Sequence, residues 1–164
     1  MSNAANKSLN IERKSDISFD LDDFLPYKLV QTAELVSENL EKSYKGEFGL
    51  SRPEWRVLAN LGTHGMLISR QLVEMTNLDK VKVSRTLTTM EQKGLIERHK
   101  AENDQRSAAI GLTEEGLALY ERVVPRALEW EADILDSLSG THYRDLMKAL
   151  EALQRHALER HTSK

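Results

Sequence analysis

The chain has 164 residues, of which 40% are hydrophobic and 30% charged, with a formal net charge of −3. This suits one globular domain, or a domain with a dimerisation extension, that is soluble and able to bury a core. It contains no cysteine, which excludes disulfides, thiolate catalysis and cysteine-based metal or peroxide sensing.

Residues 1–20, in which Ser2-Asn3-Ala4 resembles a tag remnant, are expected to form a disordered tail. Residues 1–23 are too polar for a signal peptide. No apolar run approaches the roughly 18 residues of a membrane span, and a cytoplasmic address fits. Asp22 or Asp23 is placed to cap a first helix, with Pro26 in its first turn. Leu25, Leu29, Ala33, Val36 and Leu40 give that helix one apolar face as far as about Tyr44, where Gly46 and Gly49 are expected to break it. Ser51-Arg52-Pro53-Glu54 reads as a helix start, followed by Trp55, Leu58 and Leu61 on the inward side. Gly62 to Gly65 ends it. Ser69 is expected to cap a short helix that buries Leu72, Val73 and Met75, with a turn at Thr76-Asn77.

A helix from about Asp79 to Lys93 buries Val83, Leu87 and Met90, and Gly94 stops it. Two short strands follow, Leu95 to His99 and Ala108 to Leu112, joined by a hydrophilic connection. Thr113-Glu114-Glu115 opens a long helix with Leu117, Tyr120, Val124, Leu128, Leu135 and Leu138 on its apolar face. Pro125 inside it should kink it or remove one hydrogen bond. Ser139 to Thr141 restarts the chain into a last helix carrying Leu146, Leu150, Leu153 and Ala157.

A short helix with basic residues, then strand, charged loop and strand, is the order of a recognition helix and a β-wing. Charge supports this locally: Ser69 to Ser107 holds 8 basic and 6 acidic residues, whereas Thr113 to Lys164 holds 7 and 10. An acidic scaffold with a positive centre suits a DNA binder. The long terminal helices exceed what so small a core can cover, which points to a second copy of the chain.

Several pieces together resemble the MarR family of bacterial transcription regulators. They are Ser69-Arg70-Gln71-Leu72 through Asn77-Leu78-Asp79, Val83-Ser84-Arg85, and Lys93-Gly94-Leu95-Ile96-Glu97-Arg98. Asp104-Gln105-Arg106 follows as a wing signature, then Leu112-Thr113 and Glu115-Gly116. The match covers roughly residues 21–160. It implies a mainly α fold with a small β-wing: a winged helix-turn-helix with long N- and C-terminal dimerisation helices. Residues 21–48 would be one dimerisation helix, 49–112 the DNA-binding domain and 113–164 the C-terminal dimerisation helices. It also implies a homodimer on a pseudo-palindromic operator, a repressor by expectation, released by a small aromatic or phenolic acid. The departures are a wing tip without glycine and Ser107-Ala108-Ala109, where polar or basic residues are common.

The burial register leaves Lys80, Lys82, Ser84, Arg85, Thr88 and Thr89 outward. Arg85 suits a bidentate contact to guanine, and Lys80 and Lys82 suit phosphates. Ser84 and Thr88 suit a base or a phosphate, and Ser69 brings helix-start amides to a phosphate. Arg106 suits a narrow minor groove, with Asp104 holding it or capping the turn. For the effector the candidates are Tyr27, Tyr44, Arg52, Trp55, Arg56 and His64, since arginine beside aromatics suits an aromatic carboxylate.

Two other readings stay open here. One is a winged helix that binds protein in place of DNA, which should have lost its basic recognition residues. The other is a metal-responsive regulator, for which only His156 and His161 are close, on different helix faces. No phosphate loop, nucleophile elbow or ligand cluster marks an enzyme, and no cofactor or metal is expected.

Overall fold

The structure is a computed structural model. It describes residues 19–101 and 104–162, and within these the side chains of all but residues 100, 101, 104–107, 161 and 162. Helices α1 (Leu25–Phe48) and α2 (Arg52–His64) precede strand β1 (Leu67–Ile68). Then come α3 (Ser69–Thr76), α4 (Lys80–Gln92), β2 (Ile96–Ala101), β3 (Asp104–Leu112), α5 (Glu114–Leu135) and α6 (Gly140–Thr162). Among the described residues, no helix is long and apolar enough to cross a membrane. The chain divides into two compact units with the boundary between Leu35 and Val36, inside α1.

In the first unit the helix begins later than the aspartates. Asp22 and Asp23 lie in a turn, where the Asp20 carboxylate accepts the Asp22 amide. The carbonyl that receives the first helical amides, from Tyr27 and Lys28, is that of Phe24. Neither expected aspartate therefore occupies the cap position. At its other end α1 runs through Gly46 to Phe48, because Gly46 keeps a negative φ and only Gly49, at φ +63°, turns the chain out.

The core of the second unit joins Tyr44 and Leu50 to Val57, Leu58 and Leu61 of α2, Leu72 of α3, and Val83, Leu87 and Met90 of α4. Ile96, Ile110 and Val123 close it from the sheet and α5. α2 starts as its sequence requires. Glu54 accepts hydrogen bonds from the Ser51 amide (2.9 Å) and hydroxyl (2.8 Å), with Pro53 in the first turn. The apolar side of α2 is Val57, Leu58 and Leu61, while Trp55 is only half-buried.

For α3 the cap is Ile68, and its amide donates to the Gln71 side chain (3.0 Å). Ser69 is the first helical residue instead, since a β1 hydrogen-bonded to β3 sets the entry one residue earlier. Thr76, not Met75, completes the buried face. Four residues after Leu72, it shares that side and donates its hydroxyl back to the Leu72 carbonyl (2.6 Å). Asn77 then takes the left-handed conformation at φ 55°.

The sheet is antiparallel with order β1-β3-β2. β1 has only two residues, too few to show a period-two pattern, and was not expected from the sequence. β2 and β3 pair out to Ala101–Asp104, with an irregularity between His99 and Ala101. The hydrophilic connection is therefore mostly strand.

α5 rests on the core through Gly116, Leu119, Tyr120 and Val123. Leu117 and Leu128, expected on that face, are exposed. The register is decided by Gly116, where an added Cβ would overlap the Leu95 carbonyl oxygen. Around it, the Thr113 hydroxyl donates to the Gly94 carbonyl (2.6 Å) and receives the Gly116 amide (3.0 Å). The helix continues through Pro125. Ser139 caps α6 by accepting the His142 amide (3.2 Å) on its side chain.

Candidate nucleic-acid interface

α4 is set by its two ends. The Asp79 carboxylate accepts the Lys82 amide (2.7 Å) at the N-terminus. At the C-terminus Gly94 adopts φ +69°, and the Leu95 amide reaches back to the Met90 carbonyl (2.9 Å). A half-buried ion pair anchors the helix to α2: Lys93 Nζ, itself exposed, lies 2.6 Å from the buried Glu54 Oε1. Burial alone would push the Glu54 carboxyl up. The hydrogen bonds from Lys93 and Ser51 outweigh it and hold the carboxyl below its ordinary value.

With about 100° between successive residues, Val83, Thr86, Leu87 and Met90 form the inward side, and all four are buried. Lys80, Lys82, Ser84, Arg85, Thr88 and Thr89 are all exposed. The outermost ridge is Val81, Arg85 and Thr88, at steps of four and three. Thr88 donates its hydroxyl to the Ser84 carbonyl and Thr89 to the Arg85 carbonyl (both 3.1 Å). Both keep acceptor lone pairs for an incoming donor.

On one flank of α4 a groove of about 650 Å³ separates it from the start of α3 and the wing. Lys80, Ser84, Ser69, Arg70 and Arg98 line its polar side, over Val73, Val83 and Leu87. Ser69 thus joins the recognition helix. Sequence reasoning missed Arg70 and Arg98, and the signal was present in both as exposed cations inside the positive stretch. Their ion pairs, Arg70–Glu74 and Arg98–Glu91 at 3.1 Å each, are surface pairs of small worth that can exchange for phosphate. Asp104 and Arg106 are in β3 by backbone, but their side chains lie outside the described residues.

The effector candidates separate. Tyr44 and Trp55 pack with ring centroids 5.5 Å apart and planes tilted by 35°. Burial pushes the Tyr44 hydroxyl up to about 12, and Glu41 adds to this while Arg52 and Arg56 oppose it. Trp55 is thus in ring contact with Tyr44, and Arg52 and Arg56 lie within electrostatic reach of its hydroxyl. Among the described residues, the buried Tyr44 hydroxyl has no hydrogen-bond partner. Arg52 is engaged by Glu41 (3.3 Å), and Arg56 donates to the Thr76 carbonyl (3.3 Å). His64 does not belong: it is exposed at the far end of α2, about 13 Å along the axis from Trp55. Tyr27 lies in the first unit, on the first turn of α1.

A capped recognition helix, a helix-turn-helix leading into it and an antiparallel wing behind it define a winged-helix DNA-binding protein. Residues 48–107 match the profile of the MarR family. The chain is 34% identical over 123 residues to the HTH-type transcriptional regulator PecS of Dickeya dadantii, covering 71% of this chain and 74% of that one. Among solved structures it resembles a MarR/EmrR family transcriptional regulator from Acinetobacter sp. ADP1, with TM-score 0.78 and 27% identity over 86% of this chain and 99% of that one. NadR, solved in complex with 4-hydroxyphenylacetate, shares the fold at TM-score 0.70 and 24% identity, over 86% and 96% of the two chains. The protein belongs to the MarR family: it is a transcriptional regulator, not an enzyme.

Proposed function

We propose that the protein binds a pseudo-palindromic duplex operator as a homodimer and represses from it. It lets go when a small aromatic or phenolic acid binds. The observation that carries the DNA reading is the division of α4. Its apolar ridge is wholly buried, and Lys80, Lys82, Ser84, Arg85, Thr88 and Thr89 all stand outside, beside a groove with three cations. A winged helix that had lost DNA binding would have no reason to keep Lys80, Lys82 and Arg85. Arg85 reads guanine, Ser84 and Thr88 read a neighbouring base or phosphate, and Lys80, Lys82 and Ser69 hold the backbone. Arg106 enters the minor groove from the wing, steadied by Asp104.

Residues 49–112 form the reading domain, and residues 21–48 and 113–164 pair with a second copy. The support is that, among the described residues, α6 buries no side chain within the protomer while exposing Tyr143, Leu146, Met147, Leu153 and Leu158. The effector site is the Tyr44, Arg52, Trp55 and Arg56 cluster. There an aromatic ring would stack on Trp55, and its carboxylate would receive the unpartnered Tyr44 hydroxyl and an arginine. NadR lends this a precedent of fold only.

The test is a gel shift of the full chain on its own upstream region, repeated with a panel of aromatic acids. Arg85→Ala should weaken binding by about 1–3 kcal/mol per half-site. Lys80→Ala should weaken all sequences alike and lower the salt slope by about one. Failure to shift any upstream fragment at low salt would end the DNA reading, and insensitivity to every acid would end the effector reading.

A further inference from the structure

Val81 stands out on the reading face of α4. It is a large apolar side chain, 60% exposed, between two lysines in the first turn of the helix. It is not part of the hydrophobic core. Nor does it serve the helix, since a β-branched residue forms helix less well than alanine or lysine. Four residues before Arg85 and seven before Thr88, it shares their outermost ridge and faces away from the groove lined by Lys80 and Ser84.

We infer that Val81 is a specificity-determining residue that packs on the C5-methyl group of a thymine. In the major groove that methyl is the one apolar feature of a base edge, and it separates thymine from cytosine. Valine in a helix holds essentially one rotamer, so its two methyl groups are presented at little entropic cost. Val81 and Arg85 are about 6 Å apart along the axis, near two base-pair steps at about 3.4 Å each. The operator half-site therefore carries an A·T pair one or two steps from the G·C pair read by Arg85. This rests on α4 entering the major groove, as proposed above.

The experiment starts from duplexes selected by the purified full chain from a randomised library. Each thymine of the selected half-site is then replaced by deoxyuridine, which lacks only the methyl group, and affinity is measured at fixed salt. One position should cost roughly fourfold per half-site, the worth of burying one methyl group. In Val81→Ala, which leaves the core untouched, the same replacement should cost less than twofold. Tolerance of deoxyuridine at every position would overturn the inference, as would an equal loss in Val81→Ala. Either result would leave DNA binding itself intact, whereas a library that yields no bound duplex refutes the reading beneath it.

Discussion

α4 and α6 carry similar patterns and meet opposite fates. Val83, Leu87 and Met90 recur at helical spacing and are all essentially buried. Leu146, Leu150 and Leu153 recur in the same way, yet none of the described residues of α6 is buried. Periodicity thus states that a helix has an apolar side, not what will cover it. α4 finds its cover inside the protomer because α2 and the wing close over it. α6 comes last, after the core is complete, and its apolar side has no cover among the described residues of the protomer.

The largest effect should come from breaking the α6 side. If α6 pairs protomers, the double variant Leu146→Asp, Leu153→Asp turns a two-site reader into a one-site reader, and operator affinity falls on the order of a thousandfold. Sedimentation should find a monomer with helical content retained. A dimer of normal affinity would show that α6 has no such part.

Next in size is the junction that locks α4 against α5. Gly116→Ala sets a methyl group onto the Leu95 carbonyl oxygen, a backbone atom that cannot swing aside. Urea unfolding should report a loss of about 3 kcal/mol. A comparable loss from an alanine at Gly140, where nothing lies within 4 Å of the added Cβ, would refute the close-approach explanation.

The tie between α4 and α2 is smaller. Glu54→Ala removes the acceptor for Lys93 and Ser51 and should cost about 2 kcal/mol, since Lys93 keeps access to water. Because the carboxyl is held below its ordinary 4.5, its contribution is complete above that pH and fades as the pH falls further. Wild type and Glu54→Gln should therefore converge in stability at acid pH. A gap that persisted below the folded pKa would argue against the ion pair.

The smallest expected change is at Tyr44, whose hydroxyl has no partner to lose. Tyr44→Phe should move neutral-pH stability by under about 1 kcal/mol while weakening the response to aromatic acids. The hydroxyl is raised from 10.0 to about 12, so its contribution is whole below pH 10 and is lost as pH rises through 12. Spectrophotometric titration should lose its latest phenolate in the variant. An unchanged curve would refute the shift.

Much of this was legible in residue order. The sequence alone determined the starts of α2, α4, α5 and α6, because Ser51, Asp79, Thr113 and Ser139 act within one turn of their own helices. It determined the outward set of α4, because one apolar ridge dictates its complement, and the presence of the two wing strands, though not their length. Tertiary structure decided what depends on distant partners. β1 exists only because β3 lies beside it, and its pairing shifts the α3 cap from Ser69 to Ile68. α5 has two apolar faces, and Leu95 chose the one containing Gly116. Tyr44, Arg52, Trp55 and Arg56 converge because Tyr44 packs on α2, while His64, on the same helix, is carried out of reach. Local capping and periodicity are short-range and survive in the bare sequence. Which face is covered, and by what, is settled only when elements far apart in the chain compete for the same core.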